Sequence, residues 1–197
     1  MIDFKNFILG NSSISTKSWD KLSTLFESRV LEKGDYFVRE GQIAKELAFL
    51  ETGIIRVFYR NEKGAEYNKQ LLVNPCLIGG YASLITNSQA QINQQALTHC
   101  TIHVAQYSEI QACYSTFPDI ERMARILAEN LFVDKEQREI EIATLDAEKR
   151  YQIFKQKFPN IEQQIPQYHI ASYLGITPTQ LSRIRKKLSQ KKMFQPM

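Results

Sequence analysis

The sequence has little of what secretion, disulfide stapling or membrane insertion would require. Only three of its 197 residues are cysteine, Cys76, Cys100 and Cys113. An odd number at wide spacing argues against a disulfide framework and fits a reducing cytoplasm. No run approaches the roughly 18 apolar residues of a membrane span, so no membrane partner is expected. Residues 1–10 carry Asp3 and Lys5 among apolar neighbours and lack the long apolar stretch and small-residue cleavage site of a secretory signal. There is no internal repeat, low-complexity tract or flexible linker. Neither glycine nor proline occurs between Pro118 and Pro159, and no acidic residue follows Glu162.

That last absence organises the charge. Net charge is +4, yet six of the 25 basic residues lie after Glu162, leaving residues 1–162 with 19 basic against 21 acidic. A mildly acidic body with a basic tail suggests a polyanionic partner for the tail. The remaining composition, 43% hydrophobic and 23% charged, is that of a globular chain with a sizeable core.

The apolar pattern changes three times along the chain. Phe4, Phe7, Ile8, Trp19, Leu22, Leu25 and Phe26 recur at helical spacing, so residues 1–30 read as helical. Short β-rich runs follow at 36–38, 47–50, 54–59, 67–73, 92–97 and 101–104. Turn signals at Gly34, Gly41, Gly53, Gly64 and Asn74-Pro75 separate them. Regular short strands with glycine turns indicate a barrel or jelly roll. A long helix then begins near Pro118, with Asp119 and Glu121 at its positive end. About 28 residues would span about 40 Å, too long for one small domain to cover. Ile120, Met123, Leu127 and Leu131 form one apolar stripe, assigned here to a dimer seam, and Ile126, Phe132, Val133 and Ile140 lie off it. One face can pack on the β-roll and another on a partner helix. The expected class is therefore α+β. A jelly-roll sensor domain would occupy 1–117, a dimerisation helix 118–146 and a helical C-terminal domain 147–197.

Residues 167–188 read QYHIASYLGITPTQLSRIRKKL. Ile170, Ala171 and Leu174 would face inward from a first helix, Gly175 would supply a left-handed turn, and Ile176 would plug the corner. Thr177 suits an N-cap and Pro178 the first position of a second helix. Leu181, Ile184 and Leu188 give that helix one buried stripe. This is a helix-turn-helix, and double-stranded DNA is its expected partner. The candidate contact residues are Thr177, Pro178, Thr179, Gln180, Ser182, Arg183, Arg185, Lys186 and Lys187. Arginine can grip a guanine edge with two hydrogen bonds, and lysines suit phosphates.

Residues 168–187 resemble the recognition motif of Crp/Fnr transcription regulators. Lys33-Gly34-Asp35, Glu40-Gly41 and Gly53 resemble the glycine-marked turns of that family's cyclic-nucleotide-type β-roll. Leu77-Ile78-Gly79 resembles the start of its phosphate-binding cassette, and Pro118-Asp119-Ile120 the start of its dimer helix. Leu145-Asp146 through Arg150 resembles the junction into its DNA-binding domain. The likeness implies a homodimeric, cytoplasmic regulator that binds a roughly palindromic operator, works with RNA polymerase and is not an enzyme. Three departures stand out. The family glutamate that holds the ribose falls on Gly80; the arginine and serine that take the cyclic phosphate fall on Ala90 and Gln91. The polar pair that meets adenine falls on Lys135 and Glu136. A pocket of Gly79, Gly80, Tyr81, Ala90, Gln91, Lys135 and Glu136 is thus degenerate: no cyclic AMP is expected, and a different small-molecule effector has room. The base-reading positions of the second helix fall on Pro178, Thr179 and Arg183. The β-hairpin wing that usually follows is expected to be absent or reduced.

Three scattered cysteines fall short of an iron–sulfur site and read as small buried hydrophobes. His99 and His103 alone are too few for a cupin-like metalloenzyme, so no metal is expected. A ligand-binding module that regulates a protein partner without touching DNA would leave the basic helix unexplained.

Overall fold

The computed structural model describes residues 2–193. Its order is α1 (Ile2–Asn11), α2 (Thr16–Ser23), β1 (Glu27–Leu31), β2 (Tyr36–Val38), β3 (Glu46–Thr52), β4 (Ile54–Arg60), β5 (Glu66–Val73), β6 (Cys76–Ile78), α3 (Tyr81–Thr86), β7 (Asn93–Ala96), β8 (Cys100–Gln106), α4 (Tyr107–Ala112), α5 (Pro118–Thr144), α6 (Ala147–Lys157), a 3-10 turn (Ile161–Gln163), α7 (Gln167–Leu174) and α8 (Pro178–Met193). The strands form two antiparallel four-stranded sheets, in the orders β1-β8-β3-β6 and β2-β7-β4-β5. The α+β class, the jelly roll, the long helix and the C-terminal helical unit all stand.

Three apolar layers hold the chain together. Leu31, Leu50, Ile55, Ile78, Ala96 and Ile102 fill the space between the sheets. Phe49, at the centre of β3, points the other way. It stacks on Phe4 at 4.7 Å, beneath a cover made by α1, α2, α4 and the start of α5. Ile54, Leu71 and Leu97, on the outer side of the second sheet, pack against Tyr151, Phe154, Ile170 and Leu174 of the C-terminal helices. β3 is therefore buried on both faces, and its Ala48-Phe49-Leu50 run reads as continuous rather than alternating.

Two sequence expectations change. Residues 27–31 are strand, not helix: β1 pairs with β8 from Glu27 opposite Val104 to Leu31 opposite Cys100. Of its residues only Leu31 is buried, so the strand left almost no apolar signature. Second, Ile120 and Met123, assigned to a dimer seam, already belong to the chain's own core. Both are buried in their own chain, under α1 and α2. Asp119 anchors that end of α5, accepting hydrogen bonds from Ser18 Oγ (2.5 Å) and the Ser15 backbone N–H (2.8 Å). These donors hold its carboxyl down, at about 2.

α5 ends at Thr144, and Asp146 starts α6 by accepting from the Lys149 N–H at 2.8 Å. The chain thus turns where Leu145-Asp146 suggested. After Leu174, α8 runs to Met193 with no strand following it among the described residues. The expectation of a reduced wing falls on 194–197, outside the described residues.

Candidate DNA-reading helix and sensor cavity

The C-terminal unit builds its turn as its residues require. α7 ends in Gly175, whose φ of 68° is left-handed. Ile176 then packs into the apolar cluster of α6, α7 and α8. Thr177 and Gln180 close a reciprocal capping box. The Gln180 N–H donates to Thr177 Oγ1 at 3.2 Å, and the Thr177 N–H donates to Gln180 Oε1 at 2.9 Å. Pro178 opens α8, where it forfeits no helical hydrogen bond.

With Leu181 fully buried and Ile184 and Leu188 half-buried, the 3.6-residue period fixes what faces away. Thr179, Ser182, Arg183 and Lys186 share the opposite, exposed side, and Gln190, which sequence reasoning passed over, continues it. Other candidates leave that face. Arg185 lies beside the buried stripe, 3.5 Å from Glu162, and Lys187 is paired with Glu148 at 2.5 Å. In the free chain these two cations brace α8 against the rest of the unit. Gln180 spends its carbonyl oxygen on the cap.

The unit is fastened to the body at α7. Asn68 of β5 donates through Nδ2 to the His169 carbonyl at 2.9 Å, and its N–H donates to Ser172 Oγ at 2.9 Å. His169 is buried there, and burial together with the nearby Arg56 guanidinium pushes its imidazole down to about 4. From the other side, Arg138 of α5 donates to the Tyr173 carbonyl at 2.5 Å with its guanidinium over the Tyr173 ring. Arg150 of α6 donates twice to the Leu174 carbonyl. The C-terminal carbonyls of α7 are thus satisfied by arginines from two other helices.

A cavity of about 410 Å³ opens between the second sheet, α3 and α5. Gly79, Gly80, Tyr81, Ala90, Gln91 and Lys135 all line it. Glu136 does not; one residue further round α5, it is exposed elsewhere. At Gly80 the chain is crowded, since a Cβ would stand 3.1 Å from Ala44 Cβ and 3.3 Å from Val38 Cγ1. A side chain there would have to push Ala44 or Val38 aside by a few tenths of an ångström. Among the lining residues that sequence reading missed are Lys69 of β5 and the buried Gln94. The Lys69 ammonium is lowered by partial burial and by the neighbouring Lys135. The two histidines do not form a metal site: His103 is buried 3.1 Å from Glu51, His99 is exposed beside Glu32. No cluster of three or more His, Cys, Asp or Glu side chains suited to a metal occurs among the described residues. Nor is any described helix long and apolar enough to cross a membrane.

Residues 28–117 match the family model of the cyclic nucleotide-binding domain. No curated protein matches the chain. Among solved structures it is similar to the c-di-GMP-responsive global regulator CLP of Xanthomonas campestris (15% identity, 93% of this chain and 96% of that one, TM-score 0.71). It is similar to FixK2 of Bradyrhizobium japonicum (14%, 85% and 86%, TM-score 0.73). A structure assigned to the Crp/Fnr family of transcriptional regulators, from Eubacterium rectale, gives 17% identity, 90% and 85% coverage and a TM-score of 0.71. At such identities these likenesses speak for the fold.

Proposed function

We infer from its Crp/Fnr-type fold and its cyclic nucleotide-binding domain at 28–117 that this chain is a DNA-binding transcription regulator and not an enzyme. It works in the cytoplasm as a homodimer on a roughly palindromic site. The observation that carries the reading is the exposed stripe of α8. A left-handed glycine turn and a capping box aim Thr179, Ser182, Arg183 and Lys186 away from the core, with no acidic side chain among them. Such a helix fits a major groove, with Arg183 placed to grip a guanine edge and Lys186 to meet phosphate. The cavity between the β-roll and α5 serves as the sensor pocket of a degenerate kind: the Gly80 packing and the neutral Ala90 and Gln91 speak against cyclic AMP.

The test is selection of bound duplexes from a random pool by the purified protein, followed by two variants on the selected site. Arg183→Ala should cost about 1–3 kcal/mol per lost two-point contact and relax preference at one base pair in each half-site. Lys186→Ala should weaken all sequences alike and flatten the salt dependence. No enrichment over random DNA, in the presence of candidate effectors as well, would overturn the reading.

A further inference from the structure

A second cavity, of about 360 Å³, adjoins the first, between α1, α3, α4 and α5. Its surface is predominantly apolar, with Phe7, Leu77, Ala124, Leu127 and Ala128 half-exposed along it. Its polar exceptions include Asn11, Asn130 and Asp134. The two cavities meet along shared residues: Gln70, Leu72, Leu77, Tyr81 and Leu131 line both. At the sensor end stand Lys69 and Lys135, close enough to repel one another. Neither has an ion-pair partner among the described residues, and Glu139 is the one carboxylate that offsets Lys69 electrostatically. In the same cavity Gln94 is buried. Its Nε2 donates to the Gly79 carbonyl at 2.9 Å while its Oε1 accepts nothing.

We propose that the two cavities form one site for an anionic amphiphile, its charged head between Lys69 and Lys135 and its hydrocarbon part in the apolar cavity against α5. The inference rests on reading the first cavity as the sensor pocket, and it names the class of effector. Two unpaired cations at one end attract an anion. Half-exposed apolar side chains at the other end gain by being covered. A hydroxyl near the head would also meet the open Gln94 oxygen. The ligand would lie along α5, which ties the β-roll to the DNA-reading unit through Arg138. Its apolar contacts, at Leu127 and Leu131, are on a different side of α5 from Ile126, Val133 and Ile140, so ligand and partner helix do not compete.

Decanoate is the probe, with butyrate as the short anion and calorimetry on the full chain as the readout. Decanoate should bind one per chain and at least tenfold more tightly than butyrate. Lys69→Gln and Lys135→Gln, both at exposed side chains that leave the fold intact by circular dichroism, should each weaken decanoate at least fivefold. Ala128→Trp, which fills the apolar cavity, should erase the preference for decanoate; Ala124→Val is the milder check should that variant not fold. Equal affinity for the two anions, or decanoate binding unmoved by both lysine changes, overturns the proposal. Wild-type DNA binding is measured in parallel. DNA binding without decanoate binding defeats this inference alone, and decanoate binding without DNA binding defeats the regulator reading alone.

Discussion

At the residue scale, single positions show how little freedom the backbone leaves. Gly53 turns β3 into β4 with a φ of +105°, where L side chains are strained. A Cβ there would stand 2.5 Å from Cys100 Sγ and 2.7 Å from the His99 carbonyl. Both neighbours are fixed, because Cys100 is buried and begins the paired strand β8. Gly53→Ala should therefore destabilise the protein by about 2–4 kcal/mol, read as a fall in the denaturant midpoint. A midpoint within error of wild type would contradict the packing described. Gly175, equally left-handed at +68°, has open space around it. Gly175→Ala should therefore cost only its backbone strain, about 1 kcal/mol. The same distinction governs the pocket. Gly80 has an ordinary φ of −79° yet tight neighbours, so any side chain there meets packing resistance and no backbone strain.

At the scale of elements, one β-bulge has two consequences. In the β4–β5 pair Val57 faces Gln70 and Phe58 faces Asn68, which leaves Lys69 as the extra residue. Strict alternation along β5 would turn Lys69 away from the side that Gln70 occupies. The bulge puts both in the sensor cavity and sends Asn68 outward, where it grips α7. This is why Lys69 was illegible in the sequence while its strand was plain: a period of two is visible in residue types, a slipped register is not. β1 was hidden for a related reason, since a mostly exposed edge strand carries no alternating apolar signal. By contrast, the turn chemistry around Gly175 and the cap at Thr177 were readable because they are local, each needing only its neighbours in sequence. The Asn68–α7 seam also predicts a pH dependence. Free histidine titrates near 6.5, while buried His169 is held at about 4. Above 6.5 folded and unfolded forms are both neutral there and stability is at its full value. As pH falls from 6.5 toward 4, only the unfolded chain takes up the proton, and up to about 3 kcal/mol is lost. Below 4 this loss levels off. His169→Gln should flatten the stability profile between pH 6.5 and 4, as followed by urea denaturation at each pH. A profile identical to wild type would remove His169 from the seam's energetics.

At the scale of the whole molecule, the proposed homodimer turns on the long helix, which has two apolar faces. Ile120 and Met123 are consumed by the chain's own core, and Leu127 packs on its edge. Charging Met123 would therefore empty a core position rather than split a dimer. On another face Ile126, Val133 and Ile140 recur every seven residues, the repeat of a two-helix seam. Val133 and Ile140 remain 61% and 49% exposed in the single chain, so they make few contacts to lose. Val133→Asp with Ile140→Asp should leave folding of the isolated chain intact and place four carboxylates across a two-fold seam, where burial and mutual repulsion are costly. The expected result is a wild-type protein sedimenting as a dimer at micromolar concentration and a doubly substituted one sedimenting as a monomer with unchanged circular dichroism. The DNA consequence follows from geometry. Two recognition helices held by one seam address half-sites about one helical turn, 34 Å, apart. The monomer should keep Arg183's base preference within a half-site and lose the advantage of a second half-site placed one turn away. If the variant stays dimeric, the seam lies elsewhere on the chain. If it becomes monomeric yet binds the two-site duplex as tightly as wild type, the symmetric docking is wrong.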